Sequence, residues 1–169
     1  MNWIDVLAII LLIVVFIAGF REGAVKHFFS LIAVIIAIPL AGLTYRTVAG
    51  ILSFLPGTNW ENFLGFFICL GIFSLIIQAI LYLPRRTVRR LWRNGPFYRP
   101  LGAGLNVLGT LIGLAVFVLV LEIYPIFSWL SSNVSESSVM SRLPDIFSFV
   151  QTMMPEIFRR TVTTAFYLG

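Results

Sequence analysis

Three stretches of this chain, Phe28 to Tyr45, Asn62 to Leu83 and Leu101 to Leu121, contain no charged residue. Each is about as long as a membrane crossing, since a spanning helix needs about 20 predominantly apolar residues, with a range of about 17–25. A fourth run, Trp3 to Phe20, is of marginal length and is interrupted only by Asp5 near its start. The composition agrees with a lipid environment: 59% of residues are hydrophobic, 11% are charged and the mean hydropathy is +0.99, far from the balance of a water-soluble domain.

We therefore read an all-α membrane protein with four transmembrane helices plus a C-terminal amphipathic helix. The spans are expected at about 3–20, 28–52, 62–83 and 101–121, forming a membrane domain over residues 1–125. The second can run past Arg46 because a guanidinium near a helix end snorkels to the interface. Pro39 is placed to kink it, and Trp3 and Trp60 are placed at headgroup level. The first run has no basic n-region and no A-x-A-like cleavage site, so it reads as a retained span and not as a signal peptide. An alternative lays this run in the interface, which leaves three spans and moves the N-terminus to the other side.

Orientation follows from the connector between Pro84 and Pro100, which holds six of the twelve Lys and Arg residues: Arg85, Arg86, Arg89, Arg90, Arg93 and Arg99. An arginine at the bilayer centre costs roughly 2.5–3.5 kcal/mol on insertion scales, and Lys/Arg-rich loops stay cytoplasmic. Arg21 and Lys26, in the polar turn after the first run, place that turn on the same side. Four spans then put both termini outside, where only Arg46, Arg142, Arg159 and Arg160 lie. The net charge of +5 is accounted for by anchoring beside anionic headgroups, so membrane lipids, and no nucleic acid, are the expected partners of the basic loop.

After the fourth span the composition changes. Residues 126–142 read as a Ser-rich linker, and 143–169 as a tail with apolar residues at helical spacing, from Leu143 through Ile146, Phe147, Val150, Met153 and Ile157, interrupted at Pro155. An amphipathic helix on the outer leaflet is the simplest account.

Small and polar residues inside spans face other helices, because lipid offers them no partner. Gly102, Asn106, Gly109 and Gly113 share one face of the fourth run by their i, i+4, i+7, i+11 spacing. Gly71, Ser74 and Gln78 share a face of the third. The expectation is that these faces pack together with an amide hydrogen bond between Gln78 and Asn106, both roughly 9 Å below the basic boundary at 1.5 Å per residue. A substrate path lined by the same two amides is the other reading.

Chemistry is sparsely provided for. Asp5 is expected near enough to the outer boundary to be solvated, and no charge remains near midplane for a coupled transporter. One histidine, His27, and one cysteine, Cys69, exclude an intramolecular disulfide and a cysteine-based metal site. They also leave a serine–histidine hydrolase without its parts. No catalytic residue, metal site or cofactor is expected.

Several of these residues together resemble the colicin V production (CvpA) family of bacterial membrane proteins. They are the opening Asn2-Trp3-Ile4-Asp5, the turn from Gly19 through Arg21, Gly23 and Lys26 to Phe29-Ser30-Leu31, and Arg99-Pro100-Leu101-Gly102 at the head of the fourth run. Glu22, His27 and Tyr98 depart from the family pattern. The resemblance implies an inner-membrane protein associated with bacteriocin production or export and envelope homeostasis, without a known chemical activity. Two functions follow as expectations: a non-enzymatic accessory or scaffold that meets lipid, a second copy or another envelope protein, and a small oligomeric channel or exporter lined by the glycine-rich faces of the third and fourth spans.

Overall fold

The structure, a computed structural model, describes residues 2–54, 57–92 and 97–153. Four of its helices are long and apolar enough to cross a membrane: α1 (Trp3–Glu22), α2 (Ala24–Ile51), α3 (Thr58–Ile80) and α5 (Tyr98–Ile123). A shorter α4 (Tyr82–Trp92) follows α3, and α6 (Ser128–Ser135), a 3-10 turn (Met140–Arg142), α7 (Leu143–Ile146) and α8 (Ser148–Met153) follow α5. The chain is a multi-pass membrane protein. Its large exposed apolar residues, such as Leu7, Ile10, Ile13, Val14 and Ile17 on α1, form the surface that lipid covers.

Helix α1 opens with a capping box. The Asn2 backbone N–H donates to Asp5 Oδ2 (2.8 Å) while the Asn2 side chain accepts from the first turn, so both ends of the device satisfy backbone groups that have no intrahelical partner. It closes at Gly23, whose φ of +86° is open to glycine and strained for other residues, and whose N–H returns to Gly19 O (3.0 Å). Gly23 is also the residue before α2. The polar turn expected over several residues is thus a single glycine, and α2 starts four residues earlier than its apolar run. Helix α2 continues through Pro39 to Ile51.

The packing order is α1 against α5, α5 against α2, and α2 against α3. Helix α2 lies centrally because it presents small residues every fourth position: Ala33, Ala37, Ala41 and, two turns further, Ala49 are all buried. Such residues let backbones approach, which is where packing energy in lipid comes from. At Gly65 on α3 an added Cβ would lie 3.0 Å from Tyr45 O and from the Ala49 amide nitrogen, so this is a backbone-to-backbone contact. Phe63, Phe67 and Phe117 then bridge α3 and α5 with ring centroids 4.9–6.1 Å apart.

Two segments differ from the sequence reading. The Ser-rich stretch is not a linker: Ser128–Ser135 is helical, with Ser132 and Ser135 hydroxyls returned to backbone carbonyls at Ser128 and Ser132 (2.8 Å each). The tail that follows packs on the bundle as far as it is described, to Met153, together with apolar residues of the Ser-rich stretch. Val134, Met140, Leu143, Phe147 and Val150 join the bundle core over the ends of α1, α2 and α5, because the spans leave an apolar end face there that these residues close. Its helix is broken at Phe147, and the part beyond Met153, with Pro155, Ile157, Arg159 and Arg160, lies outside the described residues.

Candidate functional site

At one end of the bundle the residues of the opening turn meet the head of α5. The Cβ atoms of a helix lean toward its N-terminus, so glycine at position 19 uncovers the carbonyl one turn earlier, at Val15. Asn106 uses it: its Nδ2 donates to Val15 O at 2.7 Å. A Cβ on Gly102 would stand 2.5 Å from the Gly23 carbonyl carbon and 2.6 Å from Gly19 O, and one on Gly19 would stand 2.6 Å from Gly102 O. The Tyr98 ring occupies the space that a side chain at Gly23 would need. Gly19, Gly23, Gly102 and Asn106 are therefore one helix crossing, in which main chain lies on main chain.

The same end carries the charges. Glu22 pairs with Lys26 one turn later, and its other carboxylate oxygen lies 3.1 Å from His27 Nε2. His27 is buried; Arg21 is exposed. The connector that the sequence left as a loop is helical from Tyr82. Pro84 fits its first turn, where a missing N–H costs nothing. Arg85, Arg86, Arg89 and Arg90 fall at i, i+1, i+4 and i+5, the spacing of one helix face. Arg85 is half-buried and close enough to act electrostatically on both Glu22 and His27, whereas Arg86 and Arg99 are exposed. Arg93 lies outside the described residues.

The face-to-face pairing expected between α3 and α5 is not what the structure contains. Asn106 and Gly102 turn to α1, and the Gly109 position looks onto Leu31 of α2, 3.8 Å away. Gly71 and Gly113 have nothing within 4 Å of where a Cβ would stand, and Ser74 and Gln78 are half-buried on α3. The reason is the central position of α2: it separates α3 from α5 near the basic end, whereas at the other end Phe63 and Phe67 reach Phe117, and Asn59 reaches the Pro125 carbonyl just past α5.

At that other end is a polar site the sequence reading missed. Asp5 is fully buried, contrary to its expected solvation. Its Oδ1 accepts from Ser137 Oγ (2.6 Å) and from the Val139 N–H (3.0 Å), while Oδ2 accepts from Asn2. Asn133 accepts from Asn2 Nδ2 (2.9 Å) and Trp3 Nε1 (3.2 Å), and Trp3 stacks on Trp129 with centroids 6.2 Å apart. The Asn2/Asp5 half was readable as a capping box. The Ser137 half, contributed from far along the chain, carried no local signal.

This arrangement is a clamp. Ser137 and Asp5 have no histidine beside them, because His27 stands at the far end of α1, roughly 30 Å away for a 20-residue helix. Among the described residues no three of His, Cys, Asp and Glu come together. Cys69 is buried in the core as a small apolar side chain.

A family model described as Colicin V production protein matches residues 4–146, which takes in all four spans and most of the cap. No curated protein and no solved structure is significantly similar to the chain.

Proposed function

Because the chain belongs to the colicin V production family, we propose that it acts as a non-enzymatic accessory or scaffold in the bacterial inner membrane, serving bacteriocin production or export and envelope homeostasis. In this reading α4 lies along the cytoplasmic headgroups and both termini are extracytoplasmic. The observation that carries it is the charge asymmetry of a bundle whose N-terminus and C-terminal cap meet at one end. Arg21, Lys26 and the connector arginines of α4 and α5 (Arg85, Arg86, Arg89, Arg90 and Arg99) belong to the opposite end, and a cluster of that size stays cytoplasmic. Each basic residue near an anionic surface adds about 1 kcal/mol of attraction.

Reporter fusions after Met153 and within the α4 connector test this directly. An extracytoplasmic C-terminal signal with a cytoplasmic connector is expected. Neutralising Arg85, Arg86, Arg89 and Arg90 together should scramble that orientation or abolish assembly; unchanged topology and full function in that variant would refute the role given to α4.

A second reading, an oligomeric channel or exporter, is favoured by Gly71 and Gly113, at which an added Cβ would meet nothing within 4 Å in a single copy. Introduced cysteines at Gly71, Gln78 and Gly113 decide it. Water access at all three in a defined oligomer supports a lumen, and protection at all three rules it out.

A further inference from the structure

Between the first turns of α2, the amphipathic α4 and the head of α5 lies a crevice of about 420 Å³. Val25, Phe28 and Phe29 of α2, Val88 of α4, and Leu101 and Leu105 of α5 line it, and no polar side chain does. Its volume falls within the roughly 300–1,000 Å³ of small-molecule sites, and an apolar space of this kind gives water no hydrogen-bond partners. Hydrocarbon suits it.

Its surroundings are cationic. Arg85 stands one turn before Val88, so the two are neighbours on α4, and both are half-buried against α2. The charge of Arg85 reaches Glu22 and His27, the residues that bracket the start of α2. The Glu22 carboxylate is already paired with Lys26, so among the described residues at this end the positive charges, with Arg85 and the exposed Arg86, outnumber the carboxylates. An apolar slot beside an arginine, at the end of the bundle where the spans stop, matches an amphiphile with a hydrocarbon tail and an anionic head.

We propose that this crevice seats one acyl chain of an anionic phospholipid, whose headgroup phosphate meets Arg85 at its rim. The proposal rests on the reading of α4 as a helix in contact with headgroups, and it adds a discrete site to that reading. Here α4 does more than set orientation: bound lipid fills the gap between α2, α4 and α5 and ties the basic helix to the bundle.

The test uses the full chain in detergent micelles containing a phosphatidylglycerol with a photoactivatable diazirine on its acyl chain, with adducts mapped by mass spectrometry. Adducts are expected to concentrate on Phe28, Phe29, Val88 and Leu105, and unlabelled phosphatidylglycerol should compete better than phosphatidylcholine. Arg85→Ala should reduce that preference by about fivefold while leaving the adduct positions in place. Leu105→Trp, which fills the crevice, should remove these adducts and leave labelling of the outer surface of α1. Val88→Trp fills it from outside the spans and gives the same reading if the Leu105 variant does not fold. Adducts spread evenly over all four spans, or a pattern unchanged in both tryptophan variants, would overturn the site. Adduct positions in micelles do not depend on orientation, so failure here leaves the topology reading intact, and a reversed topology leaves the crevice assignment intact.

Discussion

Ser137 Oγ donates a 2.6 Å hydrogen bond to Asp5 Oδ1, joining two fully buried residues 132 positions apart. A buried carboxylate is tolerated only when its lone pairs are satisfied, and Asp5 receives hydrogen bonds from the cap as well as from its own helix start. The cap and α1 therefore hold each other. Ser137→Ala and Asp5→Asn should each increase proteolysis within residues 136–153 while the four spans stay protected, because the segment loses its polar anchor and keeps only its apolar contacts. Cleavage kinetics on the purified chain check this, and wild-type protection in both variants would mean that Val134, Met140, Leu143 and Val150 suffice.

The α1–α5 crossing should be the least tolerant place in the bundle. Gly102→Ala sets a Cβ against the main chain of Gly19 and Gly23, which cannot rotate aside, and overpacking of this kind costs about 1–3 kcal/mol. Gly109→Ala, whose nearest neighbour is a leucine methyl at 3.8 Å, and Gly104→Ala, with none within 4 Å, are the matched controls. Thermal unfolding in detergent should place the first well below wild type and the other two close to it. Equal midpoints for all three would contradict the main-chain contact.

Asn106→Leu should cost less than Gly102→Ala. It removes the hydrogen bond to Val15 O, and such interhelical bonds average about 0.6 kcal/mol with a maximum of about 1.7. A loss larger than that of the glycine variant, in the same unfolding assay, would mean that the amide and not the close approach holds the two helices together.

At the edge of α5, burial and the 3.0 Å contact with the Tyr45 hydroxyl push the Tyr124 phenol above its ordinary range. The folded state holds this proton more tightly than the unfolded state. The stabilisation is therefore complete below the ordinary tyrosine value of about 10 and is lost as pH rises beyond it. Unfolding followed from pH 8 to 11 should show wild type losing stability faster than Tyr124→Phe above about pH 10. Parallel curves would show that another group governs the alkaline limb.

Some of this fold is legible from residue order alone because it depends on local properties. A bilayer demands about 20 apolar residues per crossing, so the four spans could be read from the uncharged runs, and the arginines from Arg85 to Arg99 could be read as the end that stays out of lipid. Gly19, Gly23 and Gly102 stood out as a motif, and Asn2 with Asp5 is a recognisable helix start. The partners of these residues were not legible. In lipid a leucine facing a neighbour and a leucine facing an acyl chain are equally apolar, so the sequence of α1 carries no periodicity to say that its contact runs through Ile4, Ala8 and Gly19. For the same reason Asn106 could be assigned to the polar face of α3, when the exposed carbonyl that it needs is on α1. The stretch holding the serines at 128–137 reads as a linker because its composition is polar; tertiary structure makes it a helix, in which the Ser132 and Ser135 hydroxyls bond to their own backbone, and it brings Ser137 to a carboxylate delivered from the other end of the sequence.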